Sequence, residues 1–180
     1  MPTIMTGRLD ALKDRLPEEA KDLKLNLGGI FNSEVLSPEQ VWGVVLTSAL
    51  FLKDKELAEA ASVDAEASEV SVGMISDAKA AASLMGMNTI YYRFRHLIEK
   101  PSYGQKPARL RMQRMMRPAT SKVDFELLST AAAVLSGCQM CIQSHEASVL
   151  KEGLTEEHVH EVARIAAVIH GVSIALQIDI

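Results

Sequence analysis

The stretch that decides the fold class covers residues 121–153 and reads SKVDFELLSTAAAVLSGCQMCIQSHEASVLKEG. Apolar residues recur at helical spacing on both sides of Gly137, which predicts a helix over about Lys122 to Ser136 and another over Cys138 to Lys151. Glycine directly after a helical run is typical of a helix end. The stretch therefore predicts two helices joined by a very short turn, with two cysteines at the start of the second helix.

The same helical pattern extends over most of the chain. Ser37-Pro38-Glu39-Gln40 has the residues of a capping box and predicts a helix that runs to about Lys53. Further helices are predicted over Asp54 to Ala61, from about Ala65 or Ser76 to Arg95, and over Glu156 to Gln177. Residues 99–119 hold three prolines and a glycine and predict an irregular connection. No strand pattern is convincing, so the fold class is predicted to be all-α.

Composition and charge limit the classes of function. The 180 residues suit one domain, and an aromatic content of only 4% with abundant alanine and leucine favours helices over sheet. A net charge of −4 argues against nucleic acid as a partner. The longest apolar stretch, Val44 to Leu52, is too short to span a membrane, and the first twenty residues lack the apolar core of a signal peptide. We therefore expect a cytoplasmic protein without a membrane partner.

A faint internal repeat relates the two parts of the chain. Residues 78–86 resemble residues 163–171, and the same offset places Lys53 opposite Cys138. This predicts one domain over 1–180 with two related halves, about 37–99 and about 120–180, of which only the second holds reactive residues. Two unrelated but similar amphipathic helices would explain the likeness equally well.

Cys138 and Cys141 form the most reactive pair in the sequence. In a reducing compartment such a pair favours catalysis or metal binding over a structural disulfide. At a helix N-terminus the free N–H groups stabilise the nucleophilic thiolate, and a spacing of three brings both sulfurs to one face. His145, one turn after Cys141, is placed to accept a thiol proton.

Glu126 joins this group only if the chain reverses. On one continuous helix it would lie roughly 22 Å from Cys141. A reversal at Ser136-Gly137 would instead bring it towards His145, where a carboxylate would orient the imidazole. From the residues alone, we interpret Glu126 as an ordinary acid in the first turn of its helix.

A family resemblance enters at this point. The pattern Glu126-x11-Cys138-x2-Cys141-x3-His145-Glu146, together with residues 78–93 upstream, resembles the alkylhydroperoxidase D (AhpD) family of the wider carboxymuconolactone decarboxylase-like superfamily. The resemblance covers most of the chain and implies an all-α fold of two halves, assembled as a homotrimer. Met140 departs from the family pattern, because well-known members carry a histidine between the cysteines.

The resemblance also implies a function and a role for each site residue. It implies an alkyl hydroperoxide reductase in which Cys141 attacks the peroxide and Cys138 resolves the product to a disulfide. His145 would act as base and proton relay, and Glu126 would orient His145. The resemblance implies no bound cofactor or metal; electrons would come from a dihydrolipoyl group on a carrier protein. Some members also reduce a partner peroxiredoxin of the AhpC type.

Other interpretations of these residues stay open. The dithiol could belong to a disulfide carrier or redox sensor with little peroxidase activity. It could also form a zinc site in which Cys138, Cys141 and His145 are joined by His158 or His170. His170 lies on an apolar helix and is expected to be a core residue. The arginines of residues 109–117 would form either a basic docking strip for an acidic carrier or the solvent face of a connecting segment.

Overall fold

A computed structural model describes residues 6–178, and these residues form helices and connections without any strand. The helices are α1 (Gly7–Asp14), α2 (Lys21–Gly29), α3 (Pro38–Leu52), α4 (Lys55–Ala67), α5 (Val72–Leu97), α6 (Pro101–Gly104), α7 (Gln113–Met116), α8 (Lys122–Ser136), α9 (Gln139–Lys151) and α10 (Glu156–Ala175). A single 3-10 turn, Glu18–Ala20, precedes α2. The all-α prediction is confirmed.

Local capping explains where the central helices begin. At the start of α3, Ser37 Oγ accepts a hydrogen bond from Gln40 N at 3.2 Å, and Gln40 Oε1 accepts one from Ser37 N at 2.9 Å, so the predicted capping box is present. The predicted start of the long helix was wrong. Helix α4 continues to Ala67, and α5 begins at Val72 because Ser71 Oγ accepts a hydrogen bond from Met74 N at 3.1 Å.

The core lies where α3, α5, α8 and α10 pack together. Helix α3 is the most enclosed of them, since every residue from Val41 to Ala49 is buried. Gly43 marks a close approach of three helices, because a side-chain carbon there would lie 2.5 Å from Met74 Sδ on α5 and 2.9 Å from Leu128 Cδ2 on α8. Close packing of this kind holds α5 and α8 in a fixed relation, and both helices contribute residues to the site described below.

The helix bounds repeat along the chain. Helices α3, α4 and α5 begin at residues 38, 55 and 72, and α8, α9 and α10 begin 84 residues later in each case. This spacing agrees with a fold of two related halves. The half boundaries at about 37–99 and 120–180 stay predictions.

Asp77 on α5 holds the connection that leads to α8. Its buried carboxylate accepts hydrogen bonds from Arg114 Nη2 at 2.7 Å, Ala119 N at 3.0 Å, Thr120 N at 2.8 Å and Thr120 Oγ1 at 2.7 Å. Burial raises the pKa of Asp77, but these hydrogen bonds and the charge of Arg114 outweigh it, so the pKa lies below its ordinary value. Arg114 is therefore engaged with Asp77 and is not a free member of a basic docking strip.

Among residues 6–178, no helix combines the length and the apolar character that crossing a bilayer requires.

The connecting segment before α8 has an apolar side. Met115 lies between Arg114 and Arg117 in this segment, and its side chain packs against the main core.

Candidate active site

The turn between α8 and α9 reverses the chain within two residues. Gly137 adopts a left-handed conformation with φ +64°, and its N–H donates to Val134 O at 3.0 Å. Cys138 N donates to Ala133 O at 3.3 Å, which completes the end of α8. Cys138 is the N-cap residue of α9, so it lies directly before Gln139, the first residue of the helix. The reversal lays α8 and α9 side by side, which is the arrangement that would bring Glu126 towards His145.

Cys138 and Cys141 are joined by a disulfide, with their Cα atoms 5.3 Å apart. Both are buried, Cys138 at 1% exposure and Cys141 at 6%. They lie in a small apolar cluster with Met85, Ala132 and Ala133, separate from the main core. The pair that the spacing allowed to form a disulfide is therefore bonded, in largely apolar surroundings.

His145 and Glu126 are in direct contact. His145 Nδ1 lies 2.6 Å from Glu126 Oε2, and the two side chains are only 10% and 14% exposed. The cap of α8 is formed by other residues, since Ser121 Oγ accepts from Asp124 N at 3.1 Å. The interpretation of Glu126 as a simple first-turn acid was therefore wrong, because its carboxylate is directed to the imidazole on the neighbouring helix.

This contact determines which nitrogen of His145 is available. A carboxylate accepts hydrogen bonds, so Nδ1 carries the proton that faces Glu126. In the neutral imidazole Nε2 then keeps its lone pair, and such a nitrogen can accept a proton. His145 follows Cys141 by one turn of α9, and both residues line one cavity. The carboxylate of Glu126 thus contacts an imidazole that lines the same cavity as Cys141.

The cavity beside Cys141 has a volume of about 350 Å³. Three segments form it: α5, the connection before α8, and the start of α9. Its lining residues are Asn88, Tyr92, Met112, Met115, Met140, Cys141, Ser144 and His145. Cys141 is thus the cysteine that lines the cavity, whereas Cys138 is fully buried and does not line it.

Sequence reasoning did not find most of this wall. Asn88 and Tyr92 lie in the stretch 78–93 that resembles the family and are four residues apart on one face of α5, but neither signal places them at a cavity. Met112 and Met115 come from the connection, whose path cannot be read from local periodicity. Met140, identified as a departure from the family pattern, proves to be part of the cavity lining.

The zinc alternative finds little support in the geometry. Within residues 6–178, no group of three or more histidine, cysteine, aspartate or glutamate side chains is arranged to hold a metal ion. His158 Nδ1 accepts a hydrogen bond from Thr155 N at 3.3 Å at the start of α10. His170 is exposed, so its placement in the core was wrong.

The protein is thus an all-α protein with a disulfide-forming cysteine pair, close to a histidine that contacts a carboxylate. Residues 101–178 match the carboxymuconolactone decarboxylase family. The chain is 49% identical to a protein of Anaeromyxobacter dehalogenans (strain 2CP-1) named alkyl hydroperoxide reductase AhpD, over 94% of this chain and 91% of that protein. Proteins of the same name from Rhodospirillum centenum and Solibacter usitatus are each 42% identical over 95% of this chain, and over 91% and 96% of their own lengths. The chain belongs to the AhpD family.

Proposed function

We propose that the protein is an alkyl hydroperoxide reductase in which Cys141 reacts with the peroxide and Cys138 resolves the product. The observation that carries this proposal is the 2.6 Å contact between Glu126 and His145, beside a cavity that Cys141 lines. The names of the relatives support the same activity. The roles of the four residues agree with those that the family resemblance implies.

The first step forms a sulfenic acid. In the reduced protein, His145 Nε2 takes the proton of Cys141, and the Glu126 carboxylate stabilises the imidazolium. The thiolate attacks the terminal oxygen of the hydroperoxide, so that the S–O bond forms as the O–O bond breaks. The alkoxide that leaves takes the proton from His145 and departs as the alcohol. Cys141 is oxidised, and the peroxide is reduced.

The second step forms the disulfide. The Cys138 thiol attacks the Cys141 sulfur, the S–O bond breaks, and the oxygen leaves as water. A Cα–Cα distance of 5.3 Å lies within the range of ordinary disulfides, so this step needs no large rearrangement of the backbone. Each hydroperoxide that is reduced therefore oxidises the dithiol to a disulfide, a loss of two electrons.

An external dithiol restores the reduced state. We propose a dihydrolipoyl group on a carrier protein, whose long arm suits a sulfur that is reached through a cavity. One of its thiolates attacks the Cys141 sulfur to form a mixed disulfide, and its second thiol then closes the lipoyl ring and releases the Cys141 thiol. The protein would need no bound cofactor. Transfer to an AhpC-type peroxiredoxin, assembly as a homotrimer and a cytoplasmic location belong to the same proposal.

Substitution of each cysteine tests the assignment. Cys141→Ser should abolish hydroperoxide consumption with dihydrolipoamide as reductant. Cys138→Ser should still react with one equivalent of hydroperoxide and yield a sulfenic acid at residue 141, detected by dimedone labelling and mass spectrometry. A wild-type protein that exchanges with dihydrolipoamide but consumes no hydroperoxide would instead be a disulfide carrier.

A further inference from the structure

Asn88 lines the cavity and carries a buried amide oxygen without a hydrogen-bond donor among the described residues. Its side chain is 96% buried, because the residue is only 4% exposed. Its Nδ2 lies 3.4 Å from Met115 Sδ, and Oδ1 has no hydrogen-bond donor among the described residues. A thioether accepts weakly and cannot donate, which is why the nitrogen end of the amide faces it. Buried carbonyl oxygens without a donor are uncommon, and such an atom at a cavity points to a ligand that supplies the donor.

The rest of the cavity suits an apolar group. Met112, Met115 and Met140 line it from two separate segments of the chain. A volume of 350 Å³ corresponds to roughly twelve water molecules in the liquid, at about 30 Å³ each. Hydrogen peroxide would leave most of this space to water, whereas an organic hydroperoxide would place its carbon skeleton against the methionines.

We propose that Asn88 binds the hydroperoxide group and that the three methionines select an organic substituent over hydrogen peroxide. This inference rests on the proposed function, since it concerns the substrate of the same site. Oδ1 accepts the hydrogen bond of the terminal O–H, and the methionine side chains pack against the carbon skeleton. Asn88 thus positions the oxygen that Cys141 attacks.

The hydrogen bond to Oδ1 is compatible with the whole first step. The hydrogen on the terminal oxygen stays there as the S–O bond forms, so Asn88 holds the same O–H in the hydroperoxide and in the sulfenic acid. Oδ1 is inaccessible in this conformation, so binding requires part of the wall to move; the side chain of Met115, which contacts the same amide at Nδ2, is unbranched and can turn aside. That movement also frees Nδ2 to donate to the oxygen that leaves as alkoxide.

Oxidation of the reduced protein tests the role of Asn88. Asn88→Leu keeps a similar volume and removes the acceptor; Thr89→Val is the matched control, because Thr89 is also buried on α5 and its hydroxyl bonds only Met85 O among the described residues. Asn88→Leu should lower the second-order rate constant roughly threefold to tenfold for cumene hydroperoxide, tert-butyl hydroperoxide and hydrogen peroxide, the effect of one lost hydrogen bond. Asn88→Ala serves the same comparison if the leucine variant does not fold.

A second thiol reagent separates binding of the peroxide from damage to the thiol. Methyl methanethiosulfonate reacts with Cys141 but carries no O–H, so its rate should be the same in wild type and in the Asn88 variant. Unchanged hydroperoxide rates in a folded variant would overturn the proposal. An equal loss of rate with both kinds of reagent would overturn it too, because Asn88 would then act on the thiol and not on the substrate.

Met140→Ser tests selection by the methionines, with Met116→Ser as the control. Met140 lines the cavity at 43% exposure, whereas Met116 is 81% exposed and lies outside it. Met140→Ser should lower the ratio of cumene hydroperoxide to hydrogen peroxide rate constants roughly threefold to tenfold, and Met116→Ser should not change it. An unchanged ratio in Met140→Ser would refute the selection. A wild-type protein that reacts with no hydroperoxide would refute the proposed function itself, and this inference with it.

Discussion

Glu126→Gln tests whether the contact across the α8–α9 turn activates Cys141. The substitution keeps the size of the side chain and an oxygen that can accept the Nδ1–H of His145, but it removes the negative charge. Proton transfer from Cys141 makes His145 positive at a distance of 2.6 Å from the carboxylate oxygen. Glutamine therefore weakens an interaction that is strongest when the thiolate has formed.

The expected size of the effect follows from the kind of hydrogen bond. A bond to a charged group contributes about 1.5–3 kcal/mol, and a neutral one about 0.5–1.5 kcal/mol. Both side chains are largely buried, so water does not replace the lost charge. A difference of about 1.4 kcal/mol corresponds to roughly a tenfold lower rate of oxidation of the reduced protein.

In the assay, the reduced protein is mixed rapidly with excess cumene hydroperoxide and the reaction is quenched at set times. The free thiols that remain are then measured. Glu126→Asp should lie between wild type and Glu126→Gln, since it keeps the charge but shortens the reach. Glu152→Gln is the matched control: it removes the 2.7 Å ion pair between Glu152, which directly follows α9, and Lys122 on α8, and it leaves the Glu126–His145 contact in place. A Glu126→Gln rate within twofold of wild type would refute the relay. Equal slowing by Glu152→Gln would assign the effect to helix docking.

Two further predictions concern stability, measured by urea unfolding. Asp77→Asn should lower the free energy of unfolding by about 1.5–3 kcal/mol at pH 7, because it removes the charge from hydrogen bonds to a buried carboxylate whose partner Arg114 is partly exposed. The pKa of Asp77 is lowered in the folded state, so its charged form stabilises the fold fully above the unfolded pKa of about 3.9. This stabilisation is lost as the pH falls through the folded pKa. An Asp77→Asn effect that is as large at pH 2 as at pH 7 would contradict this. Gly137→Ala should cost about 1 kcal/mol through its φ of +64° alone, since nothing lies within 4 Å of the added carbon. Gly86→Ala, in the interior of α5 with equal space and an ordinary φ, should instead stabilise by about 0.5–1 kcal/mol, and a loss in both variants would show that backbone conformation is not the cause.

Local features of the sequence predicted the helices and half of the site. Helical periodicity and the caps at Ser37 and Gly137 depend on residues within about one turn of each other, so they can be read directly along the chain. The same holds for Cys138, Cys141 and His145, which share one short stretch. The start of α5 was misplaced because alanine-rich chain continues on both sides of the break, and the Ser71 cap was not recognised as the helix start.

What the sequence by itself determined is the all-α fold class and the order of the reactive residues along α9. Only the tertiary structure decided that Glu126 contacts His145, because residues 19 positions apart meet only after the chain reverses at Gly137 and the two helices pack. The cavity was decided in the same way, since Asn88, Met115 and Met140 come from three segments with no regular spacing. Distances between such segments depend on how the core packs, and that packing is a property of the whole chain.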